Sequence, residues 1–485
     1  MKILLCYPPV TERYNTIRDS GLAPHLSILC IASHLKKFRQ DLTFCLVDGH
    51  HEDLAQIKQR IRDFEPDIVG YSVDFTNYDN AVCLSRYVKE ILPESWNVCG
   101  SNHATNLCDA ILQNQKSIDF VSLYDGEPSW EDLVCIRSGE MDRSNGRNLA
   151  YREEKNGDIV IVRTRTSRME LTYMADVDYG MIDLEPYFAR QKQVLGEDFR
   201  MLQFTSQRGC ANKPLCVFCG RYTDGIRFRD PSDYAREVAY WTEKLELTEV
   251  WDRSDSFIQH VGWLKEFCRV LGQYTDRFAS GKTTFKTYAR ADQLLRSDVI
   301  EMLRQLNFRM VFIGYEAGDD RILQNIGKHA TLDVYRRASR LVLEHGLDID
   351  ASFIVGLPGE NRESLANHLA FVRELIGMGL DKIRVNRLLV LPGTPLYEAV
   401  MQKNPDLRNK DSIHQDQLQH LLFQTDLYDL QEFDNDPAVF EQELRKTASL
   451  MTGAVLERGG GVEGYGYGKG KNILAGAQLG RHTGS

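Results

Sequence analysis

The sequence has no apolar run approaching the roughly 18 residues that a membrane-spanning helix needs. Its start, MKILLCYPPV, is a strand-like pulse too short for the apolar core of a secretory signal, so the expectation is a cytoplasmic protein with no membrane partner. Excess positive charge is missing too. There are 59 Lys and Arg against 69 Asp and Glu, a formal net charge of −10, which argues against general nucleic-acid binding because neutralising phosphates takes a basic face. Without an export signal, the 11 cysteines are expected as thiols or metal ligands rather than disulfides. A chain of 485 residues is too long for one ordinary core, and two or three domains are expected.

The densest cysteine cluster lacks a fourth member. In RGCANKPLCVFCGRY, residues 208–222, Cys210, Cys216 and Cys219 fall within ten residues. A closed structural zinc takes four Cys or His ligands, so the triplet leaves one position unfilled. Three thiolates suit a [4Fe-4S] cluster with one iron open to another ligand, and zinc completed by a remote His or Cys is the rival reading.

Around this cluster the chain is rhythmic. Up to residue 140, short apolar runs (ILLCYPP, TFCLVD, DIVGYSV, WNVCG, DFVSLY) alternate with amphipathic segments such as LAQIKQRIRDF, the pattern of a doubly wound parallel sheet. Ligands bind such sheets at the carboxyl ends of the strands, where residues 72–77, 100–104 and 125–129 form polar or glycine-bearing turns. Residues 141–200 read as a connector with a small β element, since Asn156-Gly157 between LAYREEK and DIVIVRTR is a type I′ hairpin signal. From 201 to 400 the rhythm resumes with six strand signals, MLQFTS, TEVWDR, TTFKTYAR, RMVFIGYEA, DIDASFIVG and KIRVNRLLV, compatible with a partial (β/α)6 barrel whose mouth carries the cysteines. Residues 401–457 suggest a mainly helical cap. Residues 458–485 suggest a flexible glycine-rich tail, whose GYGYGKGK lacks the spacing of a phosphate-binding loop.

Several stretches in this order resemble the radical S-adenosylmethionine (SAM) enzymes that carry an N-terminal cobalamin-binding domain. They are KILLCYPP, APHLSILCIASHL, PDIVGYSV, CGSNHAT and YDGEPS in the first part, then TSQRGC with CVFC, IRFRDPSDYAREV, VWDRSDSF, RADQL, FIGYEAGDDRILQNIGKHAT, FIVGLPGENRES and LVLPGTPLYE. The resemblance covers residues 1 to about 400. It implies an N-terminal Rossmann-like sheet, a partial barrel, and a [4Fe-4S] cluster on Cys210, Cys216 and Cys219. In the family the open iron chelates SAM, and one electron from the cluster cleaves it to a 5′-deoxyadenosyl radical that abstracts hydrogen from an unreactive carbon. The family's usual spacing is Cys-x3-Cys-x2-Cys, whereas this chain has Cys-x5-Cys-x2-Cys, with Pro214 stiffening the longer loop.

By position in the resemblance, Asp255, Arg290 and Glu316 are candidates to hold SAM, because carboxylates accept from ribose hydroxyls or an ammonium and an arginine faces a carboxylate. Phe218 would limit solvent at the cluster. Ser72, Val73, Gly100, His103, Ala104, Gly126 and Glu127 lie on cobalamin-contacting positions of the family. The Asp-x-His-x-x-Gly signature that supplies a lower histidine ligand is absent. Asp48-Gly49-His50-His51 follows the second strand and is read as solvated loop, so cobalamin is expected without a histidine ligand.

The resemblance implies C-methylation of an unactivated carbon in a small-molecule or peptide substrate, with an external one-electron reductant such as flavodoxin or ferredoxin. Three alternatives stand beside it. One is a cobalamin-dependent radical cyclisation or rearrangement. The second is a methylthiotransferase with a further cluster on Cys6, Cys45 and Cys83, opposed by the strand and helix contexts of the last two. The third is a zinc-stabilised binding module.

Overall fold

The computed structural model of the chain describes residues 1–11, 21–196, 198–222 and 225–463. Two seven-stranded sheets organise them. In the first, β1 (Lys2–Tyr7), β2 (Thr43–Asp48), β3 (Ile68–Ser72), β4 (Trp96–Gly100) and β5 (Phe120–Ser122) run parallel in the order β2-β1-β3-β4-β5. Consecutive residues Ile3, Leu4, Leu5 and Cys6 are all buried, as in a sheet covered on both faces. The helix Leu26–Phe38 packs on Gly126–Arg137, and the helix Leu54–Phe64 on Tyr78–Ile91. The strand order reverses between β1 and β3, which opens a crevice at the carboxyl ends of those strands.

The expected hairpin forms, β6 (Leu149–Lys155) and β7 (Asp158–Arg163), with Asn156 and Gly157 both at positive φ as a type I′ turn demands. It does not stand apart as part of a connector: β6 pairs antiparallel with β5, so the hairpin is the far edge of the first sheet.

The second sheet contains β8 (Met201–Phe204), then, after the short β9 (Gln207–Arg208) and β10 (Arg227–Phe228), β11 (Glu249–Asp252), β12 (Thr284–Ala289), β13 (Phe308–Glu316), β14 (Asp348–Val355), β15 (Lys382–Arg387) and β16 (Gly461–Glu463). All its pairings are parallel, and spatial order follows chain order. Side-chain caps start the crossover helices soon after the strands. Asp230, ahead of Pro231, bonds the Ser232 and Asp233 amides; Thr331, Asn361 and Thr394 do the same for Leu332–Glu344, Arg362–Gly377 and Pro395–Lys403.

β16 corrects the expectation of a flexible tail from residue 458. Residues 461–463 pair with Lys382, Ile383 and Arg384. Glycine makes this approach possible, because a Cβ on Gly460 would lie 2.3 Å from the Asp381 carbonyl oxygen. The rest of the glycine-rich segment, GYGYGKGK included, lies outside the described residues. The preceding stretch is mainly helical, with helices Gln415–Leu422 and Pro437–Leu456. Gln415 exchanges hydrogen bonds with the Val390 backbone at 2.9 and 3.1 Å, and Tyr428 donates to the Gly356 carbonyl at 2.7 Å. This segment therefore sits on the carboxyl ends of β14 and β15.

Candidate functional site

The antiparallel pair β9 and β10, with Arg208 opposite Arg227, pinches the base of the loop that carries all three cysteines. Gly209 at φ 94° turns the chain out of β9, in a region a side chain would strain. Its N–H donates to Asp255 Oδ2 at 2.8 Å and its carbonyl accepts from Gln259 Nε2 at 2.8 Å. The far end docks on the C-terminal end of the short helix Asp320–Asn325 that follows β13, where the Val217 N–H meets the Ile326 carbonyl at 3.1 Å. Burial pushes the Cys216 thiol up to about 11, with nearby Lys328 working against it, and burial likewise raises Cys219. A bound metal cluster offsets that cost, since coordination deprotonates a thiol outright. Among the described residues no three His, Cys, Asp or Glu side chains gather closely enough to hold a single metal ion. A four-iron cluster takes each thiolate on a different iron, and the sulfur-facing N–H groups of this loop fit that group.

The three residues expected to hold SAM surround this loop. Asp255 follows β11. Its Oδ2 holds Gly209, while its buried Oδ1 lies 2.7 Å from Arg221 Nη1 without an aligned hydrogen bond, which leaves an acceptor for a ligand. Glu316 ends β13 at φ 62° and accepts from Lys328 Nζ at 2.8 Å. Arg290, just after β12, forks onto Asp292 at 3.0 and 3.1 Å and donates to Asn212 Oδ1 at 2.9 Å.

Facing the loop is a cavity of 360 Å³, within the size range of small-molecule sites. The first sheet contributes Ser72, Gly100, Gly126 and Glu127 to its wall; the second contributes Gly209 and Asp255. A Cβ on Gly100 would come no nearer than 3.6 Å to any atom, the nearest being in Ser122, so packing does not require glycine there and its absence of side chain keeps the wall open. Val73, His103 and Ala104 are not on this wall. Val73 and Ala104 are buried, and the His103 ring packs on Tyr78, where burial lowers its pKa to about 4. His50 and His51 are half-buried rather than solvated: Asp48 Oδ1 lies 3.1 Å from His50 Nδ1, and His51 Nε2 faces the Gly21 carbonyl at 2.8 Å.

Sequence reasoning passed over four residues here. His25 lines the cavity, stacked on Tyr7 at 4.1 Å, with Nδ1 2.7 Å from Ser27, which in turn donates to Ser72. Arg208 reaches from the cysteine loop to the first sheet, ion-pairing with Glu127 and with Asp125 at 3.0 Å. Burial alone would raise the Glu127 pKa, but the charge and hydrogen bonds of Arg208 hold it at about 2. Lys328 and Asn212 complete the set. Arg208 and Lys328 fall inside the quoted stretches TSQRGC and IGKHAT, where spacing alone gave no reason to choose them.

Residues 204–372 match the family model described as the Radical SAM superfamily. Over 410 residues the chain is 24% identical to an uncharacterized methyltransferase of Pyrococcus horikoshii, covering 83% of this chain and 84% of that protein. It is also 24% identical over 362 residues to the anaerobic magnesium-protoporphyrin IX monomethyl ester cyclase of Synechocystis, covering 72% and 67%. Among solved structures, OxsB, a cobalamin-dependent SAM radical enzyme with aqua-cobalamin and SAM bound, superposes with a TM-score of 0.70 at 16% identity, over 94% of this chain and 72% of OxsB. With aqua-cobalamin alone, the match spans 52% of OxsB. The radical SAM methyltransferase TsrM of Kitasatospora setae, with cobalamin and a [4Fe-4S] cluster, gives 0.64 at 15% identity over 83% and 78%. At these identities the superpositions speak for the fold alone. Together with the family match and the cysteine loop, they show an enzyme that carries a radical SAM domain over residues 204–372, in a chain with the fold of the cobalamin-dependent members.

Proposed function

We propose that this enzyme is a cobalamin-dependent radical SAM methyltransferase that methylates an unactivated carbon of a small-molecule or peptide substrate. The observation that carries this reading is the shared cavity: the carboxyl ends of the first sheet and the cysteine loop of the second, taken as the mouth of a partial barrel, open onto one space. When bound, the [4Fe-4S] cluster on Cys210, Cys216 and Cys219 would supply the electron that cleaves SAM, and cobalamin would supply the methyl group.

The chain's own residues bind and orient. Asp255 and Glu316 offer carboxylate oxygens to ribose hydroxyls or the SAM ammonium, and Lys328, held by Glu316, offers the counter-charge for its carboxylate. Ser72, Gly100 and Gly126 give a wall of small groups that a bulky ring can approach closely. The ion pairs of Arg208 with Asp125 and Glu127 close the seam beside the cavity, so fixed charges replace water near the reacting groups. An external one-electron reductant such as flavodoxin or ferredoxin completes the scheme.

The test is a single-turnover assay with CD3-labelled SAM on anaerobically reconstituted protein, run on candidate substrates found from product accumulation. Product carrying the label is expected. Unlabelled, cyclised or rearranged product overturns methyl transfer and favours the second reading, which the likeness to the Synechocystis cyclase supports.

A further inference from the structure

The cysteine loop holds one residue that faces two of its sulfurs. Asn212 lies in the five-residue stretch 211–215 between Cys210 and Cys216 and is buried, with 4% of its surface exposed. Its backbone N–H points to Cys210 Sγ at 3.5 Å, and its side-chain Nδ2 lies 3.3 Å from Cys216 Sγ. Nδ2 also donates to the Gly327 carbonyl at 2.8 Å and lies 3.3 Å from the Pro214 carbonyl, so one amide hydrogen is committed to Gly327 and the other faces the sulfur and Pro214. The amide's orientation follows from its partners. Arg290 can only donate, and its Nη1 sits 2.9 Å from Asn212 Oδ1, which leaves Nδ2 on the sulfur side.

We propose that Asn212 is a positioning residue that tunes the iron–sulfur cluster, donating N–H···S hydrogen bonds to Cys210 and Cys216 and so raising its reduction potential. The proposal rests on the reading that the three cysteines hold a [4Fe-4S] cluster. Hydrogen bonds to the sulfurs are among the factors that set cluster potentials, because reduction adds negative charge to the cluster and the donors stabilise it. The Arg290 guanidinium on the opposite side of the amide strengthens the effect by polarising it, since hydrogen bonds in a chain reinforce one another in a low-dielectric surround. The longer cysteine spacing thereby gains a purpose. It makes room for a side chain that packs beneath two thiolates and is braced by Gly327, from the turn after the helix Asp320–Asn325, and by Arg290, from the end of β12.

The test compares reconstituted wild type, Asn212→Ala and Asn212→Asp by EPR-monitored redox titration, with iron and sulfide measured on each. Both variants are expected to keep wild-type iron content while their midpoints fall by at least a tenfold change in the reduction equilibrium, about 59 mV for a one-electron couple. Asn212→Asp is expected to fall further, because it sets a carboxylate beside the thiolates. Midpoints within that margin of wild type overturn the proposal. If either variant loses its cluster, wild-type protein labelled with ¹⁵N-asparagine decides: pulsed EPR of the reduced cluster is expected to show ¹⁵N coupling, and its absence overturns the proposal. Replacing all three cysteines with serine separates this from the reading beneath it. A cluster that survives that change removes the cysteine assignment itself, whatever Asn212 does.

Discussion

The two sheets present their carboxyl ends to the same cavity but furnish it differently. Beside Glu127, which Arg208 neutralises, the first lends backbone and small side chains: Ser72, Gly100 and Gly126, with Ser72 accepting from Ser27. The second lends the wall Asp255, braced by Gly209 and Arg221, and sets further braced charges around the cysteine loop beyond that wall, Glu316 on Lys328 and Arg290 on Asp292 and Asn212. A wall of small groups suits a large ligand held by shape. A ring of braced charges suits a compact zwitterion whose ends must be fixed within fractions of an ångström. The seam between them is ionic, Arg208 and Arg227 against Asp125 and Glu127, so neither sheet is furnished independently of the other.

The largest expected effect breaks one side of that comparison only. Replacing Cys210, Cys216 and Cys219 with serine is expected to abolish iron uptake, measured by iron analysis after reconstitution, and to leave far-UV circular dichroism unchanged, because the loop is pinned by β9, β10 and backbone bonds rather than by its thiols. Arg208→Ala, the next largest, attacks the seam. It leaves Glu127 buried without its main counter-charge, and breaking such a pair costs about 3–5 kcal/mol. The denaturant midpoint should drop accordingly. The sign with pH is fixed by Glu127, whose folded pKa is depressed to about 2: its contribution is complete above the unfolded value near 4.5 and is lost as pH falls toward 2. Without Arg208, burial raises the Glu127 pKa, so the gap between wild type and variant should close progressively on acidification toward pH 2. A gap that stays constant to pH 3 would mean that Arg208 acts through packing instead.

The same contrast explains what could be read from residues alone. The strands were legible because parallel strands covered on both faces are short apolar runs, and each of the six runs from MLQFTS to KIRVNRLLV falls on a strand of the second sheet, five enclosing it and RMVFIGYEA missing only its first residue, Phe308. The cysteine loop was legible because thiolate ligands cluster in sequence. Partners from distant segments were not. Arg208 meets Glu127 across 81 positions and Asn212 meets Arg290 across 78, separations that no local pattern reports. β16 was hidden for another reason. Glycine usually marks loose chain, but Gly460 is glycine because the Asp381 carbonyl leaves no room for a Cβ.

The smallest expected effect probes a buried pair outside the cavity, between the turn after β14 and the helix Arg362–Gly377 that follows it. Glu360 and His368 are both fully enclosed, with Glu360 Oε1 3.6 Å from His368 Nε2 and neither atom otherwise bonded. Burial pushes the glutamate up to about 8, against the Gly356 and Leu357 amides that favour its charge, and lowers the histidine to about 4. At neutral pH the folded pair is therefore a protonated carboxyl beside a neutral imidazole. A raised carboxyl pKa contributes stability that is complete below the unfolded value near 4.5 and is lost as pH rises through about 8. The histidine works the other way but only below its unfolded value near 6.5, so between pH 6.5 and 8 the glutamate sets the slope, about 1.4 kcal/mol per pH unit for one proton. Glu360→Gln, which keeps the shape and cannot ionise, is expected to flatten the fall in urea midpoint over that interval. An unchanged slope would show that the carboxyl is ionised in the fold, and the enclosed charge would then need a partner that the geometry around Gly356 and His368 does not provide.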